Sequence, residues 1–308
     1  MRIAVVGPGA LGCFFAARLA LRTGHEVWLL DHDRNRAALL ATKGLTLKEY
    51  GKTYCVKVRV TSLADEIGMV DLVLLCVKSH DVSSAIELIQ PLASNENVLI
   101  GLQNGIAHNR ILQEQYHGRW ALGVTAQGAT LESPGIIRHG GDGDTVIGSG
   151  APDDFVDRLL VKSAQALEEA GIHTVVSREI HVPIWKKFVV NIGINALTVV
   201  LNCPNGKILE SSRGRERLAK AVAEAGLVAS AKGIAIGSDP VAMTEKVCEA
   251  TAANISSMLQ DVRRKKKTEI DAINGALVRE ARLYGIPVPE NEKLERDVKA
   301  IEARYLSQ

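Results

Sequence analysis

Cysteine is scarce and scattered in this chain of 308 residues. The five cysteines are odd in number and lie at least 20 residues apart, which argues against a disulfide framework and against C-x-x-C metal or redox sites. An excess of charge of one sign is also missing, since the formal net charge is +2. With 46% hydrophobic and 4% aromatic residues, the composition argues against a nucleic-acid binder or a disordered chain and predicts small-molecule chemistry without a bound metal.

Segments that direct a chain to or across a membrane are missing too. No stretch near Met1 resembles a cleavable signal, and no apolar run reaches the roughly 20 residues needed to span a bilayer. We therefore expect a cytoplasmic protein without membrane or nucleic-acid partners. Its length exceeds the usual single domain of about 100–200 residues, which predicts two domains.

Short strand-like runs alternate with helical patterns in the first half of the chain, as in βαβ units. Runs such as D-L-V-L-L-C-V are continuously apolar, which is typical of parallel strands covered on both faces. A glycine-rich segment over residues 118–150 predicts an antiparallel extension of the sheet. The predicted strands outside this segment cover residues 3–6, 25–31, 71–77, 97–102 and 173–176, and predicted helices start near residues 10, 33 and 153.

After Ser177, long helical patterns replace the strand-like runs. They cover residues 211–233, 239–267 and 268–284, and G-I-P-V-P ends the last of them with helix breakers. The chain is therefore predicted to be an α/β protein. A Rossmann-type, doubly wound sheet domain that binds a dinucleotide is expected over residues 1–177, followed by an all-helical, substrate-binding and catalytic domain over residues 178–308.

The segment G-P-G-A-L-G follows the first predicted strand and opens the first predicted helix, the context in which G-x-G-x-x-G binds a dinucleotide. Gly7 permits the tight turn, Gly9 lets the backbone approach a pyrophosphate, and Gly12 allows close packing of helix and strand. The helix N-terminus adds amide donors and a positive dipole end. We therefore predict a dinucleotide site at this loop.

The end of the second predicted strand leaves the choice of dinucleotide open. Asp31, 19 residues after Gly12, stands where a carboxylate commonly binds the adenosine ribose, which favours NADH because it repels a 2′-phosphate. His32, Arg34 and Arg36 follow, and such cations suit that phosphate. The alternative for the arginines is a solvated first helical turn.

Two loops follow predicted parallel strands at their carboxyl ends, where open α/β sheets bind ligands. Lys78, in V-K-S-H, offers a cation to a carboxylate or phosphate. Asn104, in Q-N-G, offers hydrogen bonds to a nicotinamide, a ribose or a substrate carbonyl. The alternatives are an exposed lysine at a strand end and a plain Asn-Gly turn.

Lys187, Asn191 and Asn195 recur at four-residue intervals in the apolar run K-K-F-V-V-N-I-G-I-N-A-L-T. This spacing places them on one helical face, where an amide withdrawn from water without a partner costs about 1–3 kcal/mol. Reduction of a ketone by hydride needs a proton donor at the carbonyl oxygen, so Lys187 is a candidate acid and the asparagines are candidate substrate ligands. The alternative is a lysine that reaches solvent and asparagines that cap neighbouring backbone.

A second polar set lies in N-I-S-S-M-L-Q-D. Asn254, Ser257 and Asp261 are spaced as on one stripe of a helix. Glu269 follows in T-E-I-D, and a carboxylate near Lys187 would keep its ammonium charged, while Ser257 suits a substrate carboxylate. The alternatives are a serine bonded to its own helix and a Glu269 paired with nearby lysines.

Further segments complete the pattern. In order they are G-P-G-A-L-G (7–12), V-K-S-H-D (77–81), Q-N-G (103–105), W-K-K-F-V-V-N-I-G-I-N-A-L-T (185–198), N-C-P-N-G (202–206), N-I-S-S-M-L-Q-D (254–261), T-E-I-D-A-I-N-G (268–275) and G-I-P-V-P-E-N (285–291). Together they resemble the ketopantoate reductase family over nearly the whole chain. The resemblance implies NADPH-dependent reduction of 2-dehydropantoate to (R)-pantoate in the pathway to pantothenate and coenzyme A.

The resemblance also implies a role for each candidate residue. Lys187 is the general acid, Glu269 supports it and contacts a substrate hydroxyl, and Asn104 positions cofactor and carbonyl. Substrate binding falls to Asn191, Asn195, Asn254 and Ser257. Cofactor binding falls to Gly7, Pro8, Gly9, Ala10, Leu11, Gly12, Asp31, His32, Lys78 and Asn104. The family mostly uses NADPH, held by a basic residue near the end of the second strand, so Asp31 is a departure that keeps NADH open.

The expected partner is a small 2-oxo acid, and the expected state is a monomer or homodimer. Two other functions stay open at this point: a related reductase of another branched 2-oxo acid, and a non-catalytic Rossmann protein that senses nicotinamide redox state. A sensor needs neither an acid nor a supporting carboxylate, so the combination of Lys187 and Glu269 favours an enzyme.

Overall fold

The computed structural model describes residues 1–150 and 153–306. These residues form two compact units. The first unit comprises Met1–Gln103 and His108–Ile180, and the second comprises Asn104–Ala107 and His181–Gln308.

The first unit is built mainly by alternation of strands and helices. Elements up to residue 180 are β1 (Arg2–Val6), α1 (Ala10–Arg22), β2 (Glu26–Leu30), α2 (Arg34–Lys43), β3 (Leu45–Glu49), β4 (Lys52–Val56), β5 (Arg59–Thr61), β6 (Leu72–Leu75), α3 (Val82–Ile89), β7 (Val98–Gly101), α4 (Ala107–Gln115), β8 (Trp120–Thr125), β9 (Gly128–Ser133), β10 (Ile136–Gly141), β11 (Thr145–Gly148), α5 (Asp154–Glu169) and β12 (Thr174–Val176).

Eight of these strands form one sheet in the order β12-β11-β8-β7-β6-β1-β2-β5. Neighbours from β8 to β5 are parallel, whereas β11 runs antiparallel to β8. Every residue of β6 and β7 is buried, as expected of parallel strands covered on both faces. The predicted Rossmann-type sheet is therefore confirmed, and its antiparallel extension is present.

A second sheet, in the order β4-β3-β10-β9, is absent from the sequence-based prediction. In β3 the residues alternate between buried and half-buried, so that Leu45 and Leu47 join the core of the first unit. Its parallel partner β10 lies far along the chain, with Ile136 opposite Thr46. Short, half-exposed strands with a distant partner leave only a weak local signal, because strand preference depends on packing against neighbours.

The second unit is helical, which confirms the predicted helical C-terminal region. Its core surrounds α6, whose buried residues run from Ile184 to Val199. The helices are α6 (His181–Leu201), α7 (Lys207–Glu210), α8 (Ser212–Ala231), α9 (Pro240–Ala250), α10 (Ser257–Arg263), α11 (Asn274–Leu283) and α12 (Pro289–Leu306), with a 3₁₀ turn at Ile270–Ala272.

Helix α6 is long and apolar enough to cross a membrane by length and composition, with a mean hydropathy of 1.4. The expectation that no apolar run reaches such a length does not hold for this helix. However, 67% of its most apolar stretch is buried inside the structure, and the helix carries Lys186 and Lys187. These features are typical of a core helix in a globular domain.

The long helix predicted between α8 and the T-E-I-D segment is in fact two helices, α9 and α10. Ser256 is the N-cap of α10, and its side-chain oxygen accepts a hydrogen bond from the Leu259 N–H at 3.1 Å. Such a cap satisfies a donor that a helix start leaves without an intrahelical partner. Asn254 lies in the connection between the helices and does not share a helical face with Ser257 and Asp261.

Candidate active site

The glycine loop connects β1 to α1 in the first unit. Gly7 has φ +96°, a conformation that favours glycine, and its N–H donates to the Leu30 carbonyl of β2 at 3.0 Å. A Cβ at Gly7 would lie 2.7 Å from Val77 Cγ1, and a Cβ at Gly12 would lie 2.0 Å from the Gly7 carbonyl oxygen. Close packing therefore requires glycine at both positions.

Gly9 differs from these two glycines. It is exposed, and a Cβ there would meet no atom within 4 Å. Gly9 is also the N-cap of α1, and among the described residues it contributes no side-chain cap. The backbone N–H groups of the first helical turn, which begins with the half-buried Ala10 and Leu11, are therefore available to another acceptor. With the buried Pro8 behind it, this loop joins an open backbone surface to a helix N-terminus, which fits a pyrophosphate.

Gly12→Ala is expected to destabilise the first unit by about 1–3 kcal/mol, because the new methyl group would overlap the Gly7 carbonyl. Gly9→Ala is the matched variant: it should unfold like the wild type and weaken only dinucleotide binding, since its methyl group projects into open space. Thermal unfolding and a dinucleotide titration measure the two effects. Equal unfolding temperatures for the two variants would contradict the packing role of Gly12.

Asp31, predicted to bind the adenosine ribose, is fully buried at the end of β2. Its carboxylate accepts a bidentate pair from Arg36, Nε at 2.6 Å and Nη2 at 2.7 Å, and also accepts the Asp33 N–H at 3.0 Å. The hydrogen bonds to Asp31 raise the pKa of Arg36. His32 and Arg34 are exposed beside this pair, and over residues 1–150 and 153–306 Arg34 forms no ion pair. Both oxygens of Asp31 are therefore already occupied.

Lys78 follows β6, is half-buried, and begins the 3₁₀ turn Ser79–Asp81. Next to it lies Gln103, which the sequence reasoning did not single out. The buried Gln103 amide donates to the Leu75 carbonyl at 2.7 Å and to the Val77 carbonyl at 3.2 Å. It thereby joins the ends of β6 and β7, and its place in Q-N-G directly before Asn104 was the available signal.

In the second unit, Lys187, Asn104 and Glu269 form one hydrogen-bonded group. Lys187 Nζ donates to Asn104 Oδ1 at 3.0 Å, and Asn104 Nδ2 donates to Glu269 Oε2 at 3.0 Å. One amide thus bridges a cation and a carboxylate. Lys187 lies on α6, Asn104 lies in the segment before α4, and Glu269 directly precedes the 3₁₀ turn Ile270–Ala272. The structure therefore brings together the three residues predicted to be catalytic.

The position of Asn104 depends on the residues that follow it. Gly105 has φ +82°, and a Cβ there would lie 2.2 Å from the Ala272 carbonyl oxygen. Ile106 packs against the core of the second unit. Only glycine allows this close approach to the 3₁₀ turn Ile270–Ala272. The segment Asn104–Ala107 therefore belongs to the second unit, although it follows β7 of the first unit.

Burial controls the charge on Lys187. Withdrawal of the ammonium from water lowers the pKa of Lys187 from 10.5 to about 8, and the negative charge of Glu269 opposes this shift. Glu269 is itself only 6% exposed. A lysine with a pKa near 8 is mostly charged at neutral pH yet gives up its proton readily, as a general acid must.

Asn191 and Asn195 lie one and two turns beyond Lys187 on α6. Asn191 is half-buried and Asn195 is 5% exposed. Within the part of the chain that the structure describes, neither side-chain amide has a hydrogen-bond partner. Since amides in such positions require partners, both side chains are suited to bind a polar ligand.

The second predicted polar set is only partly assembled. Ser257 is the exposed first residue of α10, and Asn254 is exposed in the preceding connection, where its carbonyl accepts the Asn205 N–H at 3.0 Å. The predicted single stripe is wrong, because Ser256 starts a new helix. Among the described residues, no hydrogen bond joins either the Asn254 or the Ser257 side chain to Lys187.

Comparisons with known proteins bear on this arrangement. Residues 3–152 match the family Ketopantoate reductase PanE/ApbA, and residues 179–302 match Ketopantoate reductase PanE/ApbA C terminal. The 2-dehydropantoate 2-reductase of Halobacterium salinarum is 35% identical over 295 residues, which cover 94% of this chain and 95% of that protein. The chain belongs to the ketopantoate reductase family. It is accordingly an oxidoreductase of an NAD(P)-dependent family.

Other relatives agree with membership of the ketopantoate reductase family. The 2-dehydropantoate 2-reductase of Pyrococcus abyssi is 33% identical over 98% of both chains. The crystal structure of a PanE/ApbA family ketopantoate reductase from Ralstonia eutropha JMP134 is similar with a TM-score of 0.90 and 30% identity, over 99% of both chains. A ternary structure of D-mandelate dehydrogenase with NADH and anilino(oxo)acetate is similar with a TM-score of 0.91 and 28% identity, also over 99% of both chains.

Proposed function

We propose that this protein reduces 2-dehydropantoate to (R)-pantoate with NADPH, a step of pantothenate and coenzyme A biosynthesis. The observation that carries the proposal is the group formed by Lys187, Asn104 and Glu269, since ketone reduction needs a positioned proton donor. The names of the Halobacterium salinarum and Pyrococcus abyssi relatives support the choice of substrate. A cytoplasmic location and a monomeric or homodimeric state stay predictions.

The glycine loop is proposed to bind the dinucleotide. Its fit rests on the open backbone at Gly9 and on the amide donors at the start of α1, where a Cβ would fill the space a pyrophosphate needs. Gly7 and Gly12 shape the loop, and Lys78 is proposed to bind the same ligand through its ammonium. When bound, NADPH supplies the hydride.

Lys187 is proposed to supply the proton. As the carbonyl carbon gains a hydride, negative charge develops on the carbonyl oxygen, and an N–H proton of Lys187 passes to that oxygen to complete the hydroxyl group. The neutral amine then recovers a proton from water. Asn104 accepts a hydrogen bond from the ammonium and fixes its direction, while Glu269 helps to keep it charged.

The remaining polar groups of the second unit are proposed to bind the rest of the substrate. 2-Dehydropantoate presents a carboxylate and a hydroxyl group in addition to its ketone. Among the described residues the side-chain amides of Asn191 and Asn195 have no hydrogen-bond partner, so they can donate to these groups. Ser257 adds an exposed hydroxyl, and Glu269 is the proposed acceptor for the substrate hydroxyl. Asn254 is left outside this proposal because its side chain is exposed on the connection before α10.

The proposed preference for NADPH rests on the end of β2. Asp31 would discriminate against a 2′-phosphate only if its carboxylate were available, yet that carboxylate is buried and bound to Arg36. The charge of Asp31 is thereby compensated. Arg34 and His32 are exposed beside it and can approach a phosphate.

Arg34→Ala is expected to raise KM for NADPH roughly 10-fold or more and to leave KM for NADH unchanged, because a hydrogen bond between charged groups contributes about 1.5–3 kcal/mol. Steady-state kinetics with both dinucleotides measure this. Arg213→Ala, which removes an exposed arginine from the first turn of α8, is the matched control. An unchanged NADPH KM in Arg34→Ala would remove Arg34 from the phosphate site, and a wild-type preference for NADH would overturn the NADPH assignment.

The proposed reaction is tested by the loss of reduced-nicotinamide absorbance when the wild-type protein is mixed with 2-dehydropantoate and either dinucleotide. Turnover of 2-dehydropantoate well above that of other 2-oxo acids is the expected result. Tight dinucleotide binding without turnover of any 2-oxo acid would instead support a redox sensor.

A second candidate function is the reduction of another 2-oxo acid. The observation that favours it is the similarity to D-mandelate dehydrogenase, which is as great in fold as the similarity to the Ralstonia eutropha protein. Faster turnover of an aromatic 2-oxo acid than of 2-dehydropantoate would support this second candidate.

A further inference from the structure

A pair of buried hydroxyl groups connects α6 to the start of α10 in the second unit. Thr198 is fully buried and Ser256 is 7% exposed. Their side-chain oxygens are 2.6 Å apart, a normal length for a hydrogen bond between hydroxyl groups. Neither residue is among the groups that the proposed reaction uses.

The hydrogen bonds around this pair have a single direction. Thr198 donates its one hydroxyl proton to the Asn195 carbonyl at 2.8 Å, so the proton between the two hydroxyl groups must come from Ser256. Ser256 Oγ in turn accepts the Leu259 N–H at 3.1 Å. The chain of donors therefore runs from Leu259 through Ser256 and Thr198 to Asn195, and each hydroxyl group both donates and accepts.

The two ends of this chain are the places where substrate ligands are proposed. Asn195 is the deepest amide on the face of α6 that also carries Lys187. Ser257 is the residue directly after Ser256, at the first position of α10. A shift of the α10 N-terminus relative to this turn of α6 would therefore change the distance between the Asn195 amide and the Ser257 hydroxyl.

We propose that Thr198 and Ser256 are positioning residues that fix the start of α10 against the Asn195 turn of α6 and so set the spacing of the groups that bind the 2-oxo acid. The proposal rests on the proposed function for its kinetic consequence, but not for its structural one. Each of the two buried hydroxyl groups both donates and accepts a hydrogen bond. The network is satisfied only when α6 and α10 keep this arrangement, so this arrangement is favoured.

Thr198→Val tests the proposal, because it keeps the shape of the side chain and removes the hydroxyl group. KM for the 2-oxo acid is expected to rise about tenfold, with kcat within about threefold of the wild type and dinucleotide binding unchanged. Thr198→Ser retains the hydroxyl group and should restore KM. A purely structural loss would lower thermal stability without separating KM from kcat.

Thr244→Val is the matched control. Thr244 is also fully buried and packs against Gly193 of α6, but its hydroxyl group donates to the Pro240 carbonyl of its own helix at 2.8 Å. The KM of Thr244→Val for the 2-oxo acid should stay at the wild-type value. A rise in KM equal to that of Thr198→Val, or no rise in Thr198→Val, would overturn the positioning role.

Amide hydrogen exchange judges the structural claim separately from activity. The Leu259 N–H should exchange faster in Thr198→Val than in Thr244→Val, since the acceptor Ser256 is then less fixed. Equal exchange in the two variants would overturn the proposal even if the wild type is active. Failure of the wild type to reduce any 2-oxo acid would sink the proposed function, while faster Leu259 exchange in Thr198→Val would still support the link between the helices.

Discussion

Replacement of Lys187 by alanine is expected to lower kcat for the reduction of 2-dehydropantoate by about 10²–10⁴-fold, the usual effect of losing a positioned proton donor. The reason is geometric. Lys187 is the cation of the group, and its Nζ donates to Asn104 Oδ1 at 3.0 Å, which fixes the direction of one N–H bond. Stopped-flow or steady-state measurements at saturating dinucleotide and 2-oxo acid measure the effect on kcat directly.

Lys186→Ala is the matched control, because Lys186 is the exposed neighbour on the same helix. It should leave kcat at the wild-type value. Dinucleotide binding and thermal unfolding of Lys187→Ala should also stay close to wild type, since the glycine loop is in the other unit. An intact Lys187→Ala protein with a kcat within threefold of the wild type would show that another group delivers the proton.

The parts of this protein that the sequence predicts well have local causes. Helix α1 starts at Ala10, as predicted, and ends at Arg22, because the glycine loop fixes its start and an apolar helical pattern continues to its end. The need for glycine at Gly12 is likewise local, since a Cβ there would meet the Gly7 carbonyl oxygen in the same loop, whereas the close neighbour of Gly7 is Val77, which is distant in sequence.

The helix break before α10 shows a local signal that was overlooked. Asn254 and Ser257 share a helical spacing, but Ser256 is an N-cap residue and its side chain bonds the Leu259 N–H. Helical periodicity alone does not detect a cap within a polar stretch, so the two residues were placed on one stripe. The segment N-I-S-S-M-L contained the correct signal, the cap residue Ser256 two residues before the apolar pair Met258 and Leu259.

Other parts of the site have causes that are distant in sequence. The residue type at Asn104 is readable, but its partners are not, because its position follows from Gly105 meeting the Ala272 carbonyl. Asp31 is similar: a carboxylate at a strand end predicts a ribose ligand, and only the structure shows that Arg36 binds both of its oxygens. Motifs thus identify the chemistry available, while tertiary contacts decide which groups remain free to use it.

The electrostatics of Lys187 lead to the second large effect, a fall in activity at alkaline pH. Burial lowers the pKa of Lys187 to about 8, and an ammonium donates a proton only while it is charged. The value of kcat/KM for reduction should therefore be constant up to about one pH unit below this pKa, be halved near pH 8, and then approach a tenfold fall for each further pH unit, as expected for loss of one essential proton. Two pH units above the pKa, about 1% of the activity should remain.

Glu269→Gln tests the cause of this pH dependence. The carboxylate charge raises the pKa of Lys187 against the effect of burial, so a neutral amide of the same size should move the fall in kcat/KM to lower pH. Glu280→Gln, which removes the carboxylate bound to Lys232 at 2.6 Å elsewhere in the same unit, should leave the profile unchanged. A Glu269→Gln profile that coincides with the wild type would mean that Glu269 does not set the charge on the acid, and a shift to higher pH would mean that Lys187 is not the group that titrates.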